Sequence, residues 1–131
     1  MAKKSDEEYR AELTEMQFWV TRQGGTERPG TGIYNAHDAS GVYHCVCCKA
    51  ALFTSNEKFQ SGCGWPSFAD HMSNDNLRFL EDRSYGQLRT EVRCSECDAH
   101  LGHVFDDGPT ETGQRYCINS ASLDFANDDT A

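Results

Sequence analysis

The sequence predicts a mainly β domain with short helices at its N-terminus, held together by a four-cysteine metal site. Three observations predict it. Two capping-box signals lie in the stretch before Gly24. From Gly41 onward, short segments with two-residue alternation are separated by turn residues, the pattern of antiparallel strands. Finally, two Cys-x-x-Cys knuckles, Cys45 to Cys48 and Cys94 to Cys97, each begin where such a segment ends. With 131 residues, the chain suits a single domain, residues 1–131, large enough for a core yet small enough to profit from a staple.

The elements follow in order. Ser5-Asp6-Glu7-Glu8 and Thr14-Glu15-Met16-Gln17 each place Glu or Gln three residues after a hydroxyl, the capping-box pattern. Two short helices in succession are expected. The first pairs Tyr9 with Leu13, and the second offers Met16, Trp19 and Val20 as a docking face. Gly24-Gly25 ends the helical part. Thr26 to Ser40, with Pro29, Gly30 and Gly32, reads as a long irregular wrap. Gly41 to Cys45 begins the strands. Trp65 to Met72 reads as strand and turn in preference to a helix started by Pro66 and Ser67. Gln87 to Cys94 alternates, with Leu88, Thr90, Val92 and Cys94 on one face and Arg89, Glu91 and Arg93 on the other, describing a half-exposed antiparallel strand. Leu101 to Phe105 and Tyr116 to Phe125 are further strands, joined by a turn-rich segment around Asp106-Asp107-Gly108-Pro109.

Composition narrows the function. Acidic residues outnumber basic ones 21 to 12, for a formal charge of -9, and no basic stripe interrupts them, which argues against nucleic acid as a partner. The first residues lack the apolar run of a signal peptide, and no window approaches the roughly 20 apolar residues of a membrane span. A cytoplasmic protein with no membrane partner, acting as a monomer, is the expectation. Seven cysteines in a reducing compartment point to metal binding and redox chemistry rather than to a disulfide scaffold.

Four thiolates from two knuckles suit tetrahedral zinc. Cys45, Cys48, Cys94 and Cys97 are the expected ligands of one structural ion per chain, and Cys47 is a bystander inside the first knuckle. Lys49 to Arg93 separate the knuckles, so the metal would join two distant hairpins. Redox dithiols are the alternative, but neither knuckle sits at the strand-to-helix junction of a βαβ unit. A four-cysteine site has no open position for substrate and stabilises the fold.

Two cysteines remain, Cys63 and Cys117. On the strand Arg115 to Ala121, a period of two puts Arg115, Cys117 and Asn119 on one face. A thiol attacks only as thiolate, and its ordinary pKa of about 8.5 leaves a few per cent ionised at neutral pH. Arg115 would raise that fraction, and Asn119 could donate a hydrogen bond to an oxygen held near the sulfur. The plainer reading of a lone Cys117 is a small core hydrophobe. Cys63 has glycine on both sides, and Trp65 offers an apolar wall. His100-Leu101-Gly102-His103 adds two imidazoles that face opposite ways on a straight strand unless a bend or bulge at Gly102 turns both to one site. Asp107 shares strand parity with His103. Alone, this histidine pair reads equally as metal ligands or surface groups.

The set Cys-x-x-Cys, Ser61-Gly62-Cys63-Gly64-Trp65-Pro66-Ser67-Phe68, Cys94-x-x-Cys97-x-x-His100-Leu101-Gly102-His103-Val104-Phe105 and Arg115-Tyr116-Cys117-Ile118-Asn119-Ser120 resembles the type B peptide methionine-(R)-sulfoxide reductases, from about Thr14 to Phe125. The resemblance implies two antiparallel sheets with N-terminal helices and a zinc site remote from catalysis. It implies Cys117 as nucleophile, Cys63 as resolving cysteine, Trp65 as wall of a methyl pocket, and His100, His103, Asp107, Arg115 and Asn119 as the polar surround. Phe105 would help to enclose the site. The substrates implied are oxidised proteins or peptides carrying methionine-(R)-sulfoxide, with thioredoxin as reductant. Gly30 and Glu111 stand where that family often has an aromatic and a proline. Two other classes share some of these features. A non-enzymatic zinc-stapled binding module explains the knuckles alone, and a general thiol-disulfide oxidoreductase or peroxidase has no need of a methyl pocket.

Overall fold

In the computed structural model, which describes residues 5–30, 32–35, 37, 39–59, 64–71, 76–83, 86, 88–108 and 110–127, both capping boxes form. Helix α1 spans Asp6–Glu12 and α2 spans Glu15–Gln23. The Thr14 Oγ1 accepts from the Gln17 amide at 3.1 Å, and Gln17 Oε1 accepts from the Thr14 amide at 2.9 Å, so two amides that the helix leaves open are satisfied reciprocally. Gly24 closes α2 at φ +72°, a left-handed turn that glycine makes without a Cβ clash.

The docking face of α2 differs from the expected one. Phe18, Val20 and Thr21 are buried, while Met16 and Trp19 are 49% and 43% exposed. Thr21 can go inside because its hydroxyl donates to the Gln17 carbonyl at 2.6 Å, leaving only its methyl to be packed. Trp19 instead lies over Gly25, where a Cβ would run into the indole. Arg22 ties the helices to the rest: its guanidinium stands 4.3 Å from the Tyr9 ring centroid and donates to the Cys97 carbonyl at 2.9 Å.

The remainder is β, in two antiparallel sheets as expected. Strands β1 (Gly41–Cys45), β2 (Ala51–Thr54) and β9 (Leu123–Asn127) form a three-stranded sheet in the order β2-β1-β9. A six-stranded sheet runs β3-β4-β8-β7-β6-β5, from β3 (Lys58–Phe59), β4 (Ser67–Phe68), β5 (Leu77–Asp82), β6 (Arg89–Cys94), β7 (His100–Phe105) and β8 (Arg115–Ile118). Strand β6 begins later than the alternation suggests, leaving Leu88 before it and 66% exposed.

The segment Tyr116 to Phe125 is two strands, not one. A single 3-10 turn, Ser120–Ser122, lies between β8 and β9 and carries the chain from the larger sheet to the smaller. Its side chains compete with strand pairing: Ser122 Oγ donates to the Asn119 carbonyl at 2.7 Å, and Asn119 Nδ2 donates to the Leu101 carbonyl at 3.0 Å.

The core sits between the sheets. Phe53 of β2 stacks on Phe68 of β4 at 4.3 Å, and Tyr43 of β1 meets Phe68 edge-on at 5.2 Å. These three rings and Tyr116 are 0–1% exposed, and burying such a side chain is worth about 1.5–3 kcal/mol. Because Tyr116 and Ile118 point into this core, the alternate residues Arg115 and Cys117 stand on the outer face of the larger sheet. Cross-strand partners share a face, so Cys117 opposite His103, and His103 opposite Glu91, continue that outer row across three strands.

Candidate active site and metal centre

The two knuckles are the same turn built twice. In each, the amide four residues after the first cysteine donates back to that cysteine's carbonyl, from Lys49 to Cys45 and from Asp98 to Cys94, both at 2.8 Å. In each the cysteine's own amide is also taken, by the Ala50 carbonyl at 2.8 Å and the Ala99 carbonyl at 2.9 Å. Lys49 and Asp98 consequently adopt φ +67° and +64°. The turns aim four thiols at one point: Cys45, Cys48, Cys94 and Cys97 have their Sγ atoms within 4.8 Å of one another, and the Cys45–Cys97 and Cys48–Cys94 pairs lie at 3.5 Å. A tetrahedral ion with metal–sulfur bonds of about 2.3 Å needs sulfur separations of roughly 3.8 Å, which this donor set fits. The thiols share hydrogen bonds. Cys97 is drawn down to about 3 and Cys48 also falls, in both cases first through hydrogen bonding with Cys45, while Cys45 is pushed up, first by its bond with Cys47. A divalent cation relieves that crowding by taking the place of the protons. Cys47 is buried beside the cluster, outside the set of four.

Residues named from the sequence as candidates for chemistry gather elsewhere. Thr26, Trp65, Arg89, Gly102, His103, Phe105, Cys117 and Asn119 line a small hollow of about 90 Å³ on the outer face of the larger sheet. At roughly 30 Å³ per water, it holds about three waters' worth of substrate, suited to the tip of a side chain. A far larger cavity of about 850 Å³ opens between α1 and the knuckles, but its cysteines include Cys48 and Cys97 of the cluster, and among the described residues no histidine lines it. Size does not decide between them; the convergence of thiol, imidazole and aromatic walls does.

Strand geometry explains the convergence. Cys117 is paired with His103 on one side and with Ser67 on the other, in the middle of the larger sheet. The pairing of β7 with β6 slips one residue, Val92 facing Gly102 and Arg93 facing His100. Leu101 is thus an extra residue in β7, and this bulge brings the His100 and His103 ring centroids to 5.7 Å. Gly102 is needed there because a Cβ would collide with the Cys117 carbonyl oxygen.

Of the residues named from the sequence, Cys117, His103, Trp65, Phe105 and Asn119 line the cleft. His100 stands behind it, 6% exposed, with Nδ1 and Glu91 Oε2 2.7 Å apart and Nε2 without a hydrogen-bond partner among the described residues. Burial lowers the His100 pKa and so favours the neutral ring, opposed by Glu91, which favours the charged one. Arg115 and Asp107 are also set back. Asp107 lies beyond the end of β7, off the parity expected for it, and accepts from Arg115 Nε at 2.8 Å and Nη2 at 3.2 Å. That pairing lowers the Asp107 pKa and divides the positive charge of Arg115 between Asp107 and the Phe105 ring, 4.6 Å away, instead of leaving all of it for the thiol. Cys63 lies outside the described residues.

Sequence reasoning did not assign to the site Thr26 and Arg89, which line the cleft, or Glu27, Asp82 and Glu91, which stand behind it. Glu27 is 4% exposed within the irregular wrap; its amide donates to Asn119 Oδ1 at 3.0 Å, its carbonyl accepts from Trp65 Nε1 at 3.0 Å, and its Oε1 accepts from the Ala121 amide at 2.9 Å. One loop residue therefore fixes the indole and the carboxamide together. Asp82, Arg89 and Glu91 come from β5 and β6. The alternation did mark Arg89 and Glu91 as one face, but only the register of β6 on β7 shows that this face borders the cleft.

The SelR domain family matches residues 13–127. The peptide methionine sulfoxide reductase MsrB of Hahella chejuensis (strain KCTC 2396) is 59% identical over 94% of this chain and 88% of its own length. The protein of the same name from Synechococcus sp. (strain RCC307) is 55% identical over 92% and 89%, and that of Escherichia coli (strain K12 / DH10B) 55% over 94% and 90%. The matched stretch takes in both knuckles and the Cys117 cleft, and the chain belongs to the SelR domain family.

Proposed function

We propose that this protein is an enzyme that reduces methionine sulfoxide in proteins and peptides to methionine, and that it acts on the R epimer. The observation that carries the reading is Cys117 set directly across the strand pair from His103 in a cleft walled by Trp65 and Phe105. Relatives named peptide methionine sulfoxide reductase support the substrate class.

A sulfoxide oxygen cannot leave its sulfur without a proton, so a thiolate must attack while an acid protonates that oxygen. In this reading the acid is His103, the register partner of Cys117, a contribution worth about 10²–10⁴ in rate. Methionine departs and Cys117 becomes a sulfenic acid. Cys63 then condenses with it, expelling water and forming a disulfide that thioredoxin reduces, its potential of roughly -270 mV suiting it as donor. Burying one methyl against Trp65 is worth only about 0.8 kcal/mol, so chirality must come from fixing methyl, oxygen and peptide arm together. Trp65 is suited to this because its indole is pinned by the Glu27 carbonyl.

Cys45, Cys48, Cys94 and Cys97 would hold one zinc ion, which with four cysteine ligands supplies stability to the fold and no coordination site for substrate. The protein works as a cytoplasmic monomer in this reading, and among the described residues no helix is long and apolar enough to cross a membrane. The test is turnover of the separated R and S sulfoxides of a blocked methionine with dithiothreitol as reductant. Methionine from the R epimer alone is expected. Equal rates on both epimers would remove the stereochemical assignment, and no turnover of either would favour a zinc-stapled binding module.

A further inference from the structure

Among the described residues, histidine and carboxylate pairs occur twice on the outer face of the larger sheet, and the two differ in which ring nitrogen is taken. In the buried pair, Glu91 Oε2 lies at 2.7 Å from Nδ1 of His100, and Glu91 is itself anchored by Arg93 Nε at 2.8 Å. In the other, Asp82 Oδ2 lies at 2.7 Å from Nε2 of His103. Asp82 belongs to β5 and His103 to β7, so the contact reaches across the whole width of β6. Arg89 of β6 is the register partner of Asp82, and its Nη2 lies 3.4 Å from the same Oδ2. Both side chains of the pair are largely shielded, His103 14% and Asp82 20% exposed.

We propose that Asp82 is a positioning residue for the reduction, holding Nε2 of His103 so that the imidazole presents Nδ1, and only Nδ1, as its proton-transfer atom, with Arg89 holding Asp82 in place. The inference rests on the acid role of His103 given above and adds which atom does the work and what selects it. A carboxylate can only accept a hydrogen bond, so Nε2 carries a hydrogen in every state of the ring. The neutral ring then has a bare Nδ1, and the charged ring has an Nδ1–H free to be given up. In the forward step the S–O bond to methionine breaks and an S–O bond to Cys117 forms. The methionine sulfur gains the two electrons that the thiolate loses, and the proton from Nδ1 ends on the sulfenic acid oxygen. A ring free to rotate would divide its population between orientations, and only one of these serves the substrate.

The experiment combines spectroscopy with single-turnover kinetics in the full chain. Nitrogen-15 spectra of the histidine rings should show His103 with hydrogen on Nε2 in the parent protein, and a mixture of tautomers in Asp82→Ala. Release of methionine in the first turnover should fall about 10–100-fold in Asp82→Ala, the scale of losing a carboxylate behind a functional histidine, while the substrate concentration giving half-maximal rate stays within about twofold. Asp82→Asn, whose carboxamide oxygen can still accept from Nε2, should recover the tautomer and part of the rate. In a His103→Ala background, Asp82→Ala should cost less than about twofold more. If His103→Ala slows release but Asp82→Ala leaves rate and tautomer unchanged, the positioning role is refuted and the acid role stands. If the tautomer depends on Asp82 while His103→Ala releases methionine at the parent rate, it is the acid role that fails, and the catalytic part of this inference fails with it.

Discussion

At the metal centre four thiols lie within 4.8 Å of one another, each knuckle curled by a residue at positive φ. In the cleft Cys117 sits on a strand with an imidazole across from it and a hydroxyl residue, Ser67, on its other side. The same functional group thus stands in two settings in one chain, and the backbone makes the difference. A tight turn brings two sulfurs of one segment to the same point, where a cation could satisfy them together. A strand holds its thiol apart from its sequence neighbours and lets the register choose its companion.

Changes at the metal centre should act first on the fold. Stripping the metal with a chelator, or replacing Cys97 with Ser, should abolish the cooperative thermal transition, since zinc in small four-ligand sites contributes roughly 10–16 kcal/mol against a domain stability of about 5–15. Metal analysis should find one zinc per chain. A folded, active, metal-free protein would end the structural role.

Changes in the cleft should act on chemistry alone. Cys117→Ser is expected to release no methionine while keeping its metal and its stability to within about 0.5 kcal/mol. Cys63→Ser, by contrast, should release about one methionine per site and then stall as a sulfenic acid that dithiothreitol, but not thioredoxin, readily reduces. Loss of the first turnover in Cys63→Ser with its retention in Cys117→Ser would reverse the two roles.

Gly102→Ala tests the point where scaffold and cleft meet. Its added methyl would meet the Cys117 carbonyl oxygen, so a loss of about 1–3 kcal/mol in chemical denaturation is expected, together with slower turnover. A stable, fully active variant would mean that β7 and β8 can move apart freely. A gentler probe is acid. His100 is held neutral by burial, its pKa below the ordinary 6.5, so on unfolding it gains a proton that the folded state resists. Stability should therefore fall as pH drops below about 6.5, and a His100→Asn variant should show a shallower fall. Glu91, whose pKa is lowered by Arg93 and then His100 against its own desolvation, adds a second loss at lower pH, below about 4.5. Smallest of all should be Cys47→Ser, which lies outside the ligand set and should leave metal content unchanged by analysis.

The capping boxes, the alternation of β6 and the two knuckles were legible in the sequence because each is written in neighbouring residues. Cys117, His103, Trp65, Phe105 and Asn119 were legible as motifs, and they do share one cleft. What escaped depends on residues far apart in the chain. Nothing near Glu27 signals that its main chain will hold both Trp65 and Asn119. Asp82 is one acidic residue among 21 aspartates and glutamates, and its contact with His103 exists only because β5, β6 and β7 lie side by side. The split of Tyr116 to Phe125 was hidden for a related reason, since apolar alternation continues on both sides of a turn made by serine and asparagine side chains.

The way the two sheets are wired has a consequence for how the molecule folds. Strands β5 to β8 follow one another as a meander, each paired with the next, whereas β1 must find β9 across about two thirds of the chain, Gly41 pairing with Asn127. Nearby pairings form at small cost in loop entropy, and distant ones wait until that cost is offset. The meander should therefore be formed in the folding transition state, and the three-stranded sheet should close late. Shortening Val92 in β6 should slow folding, whereas shortening Leu123 in β9 should chiefly hasten unfolding. Because one knuckle follows β1 and the other follows β6, metal capture by all four thiols belongs to the late side of that barrier.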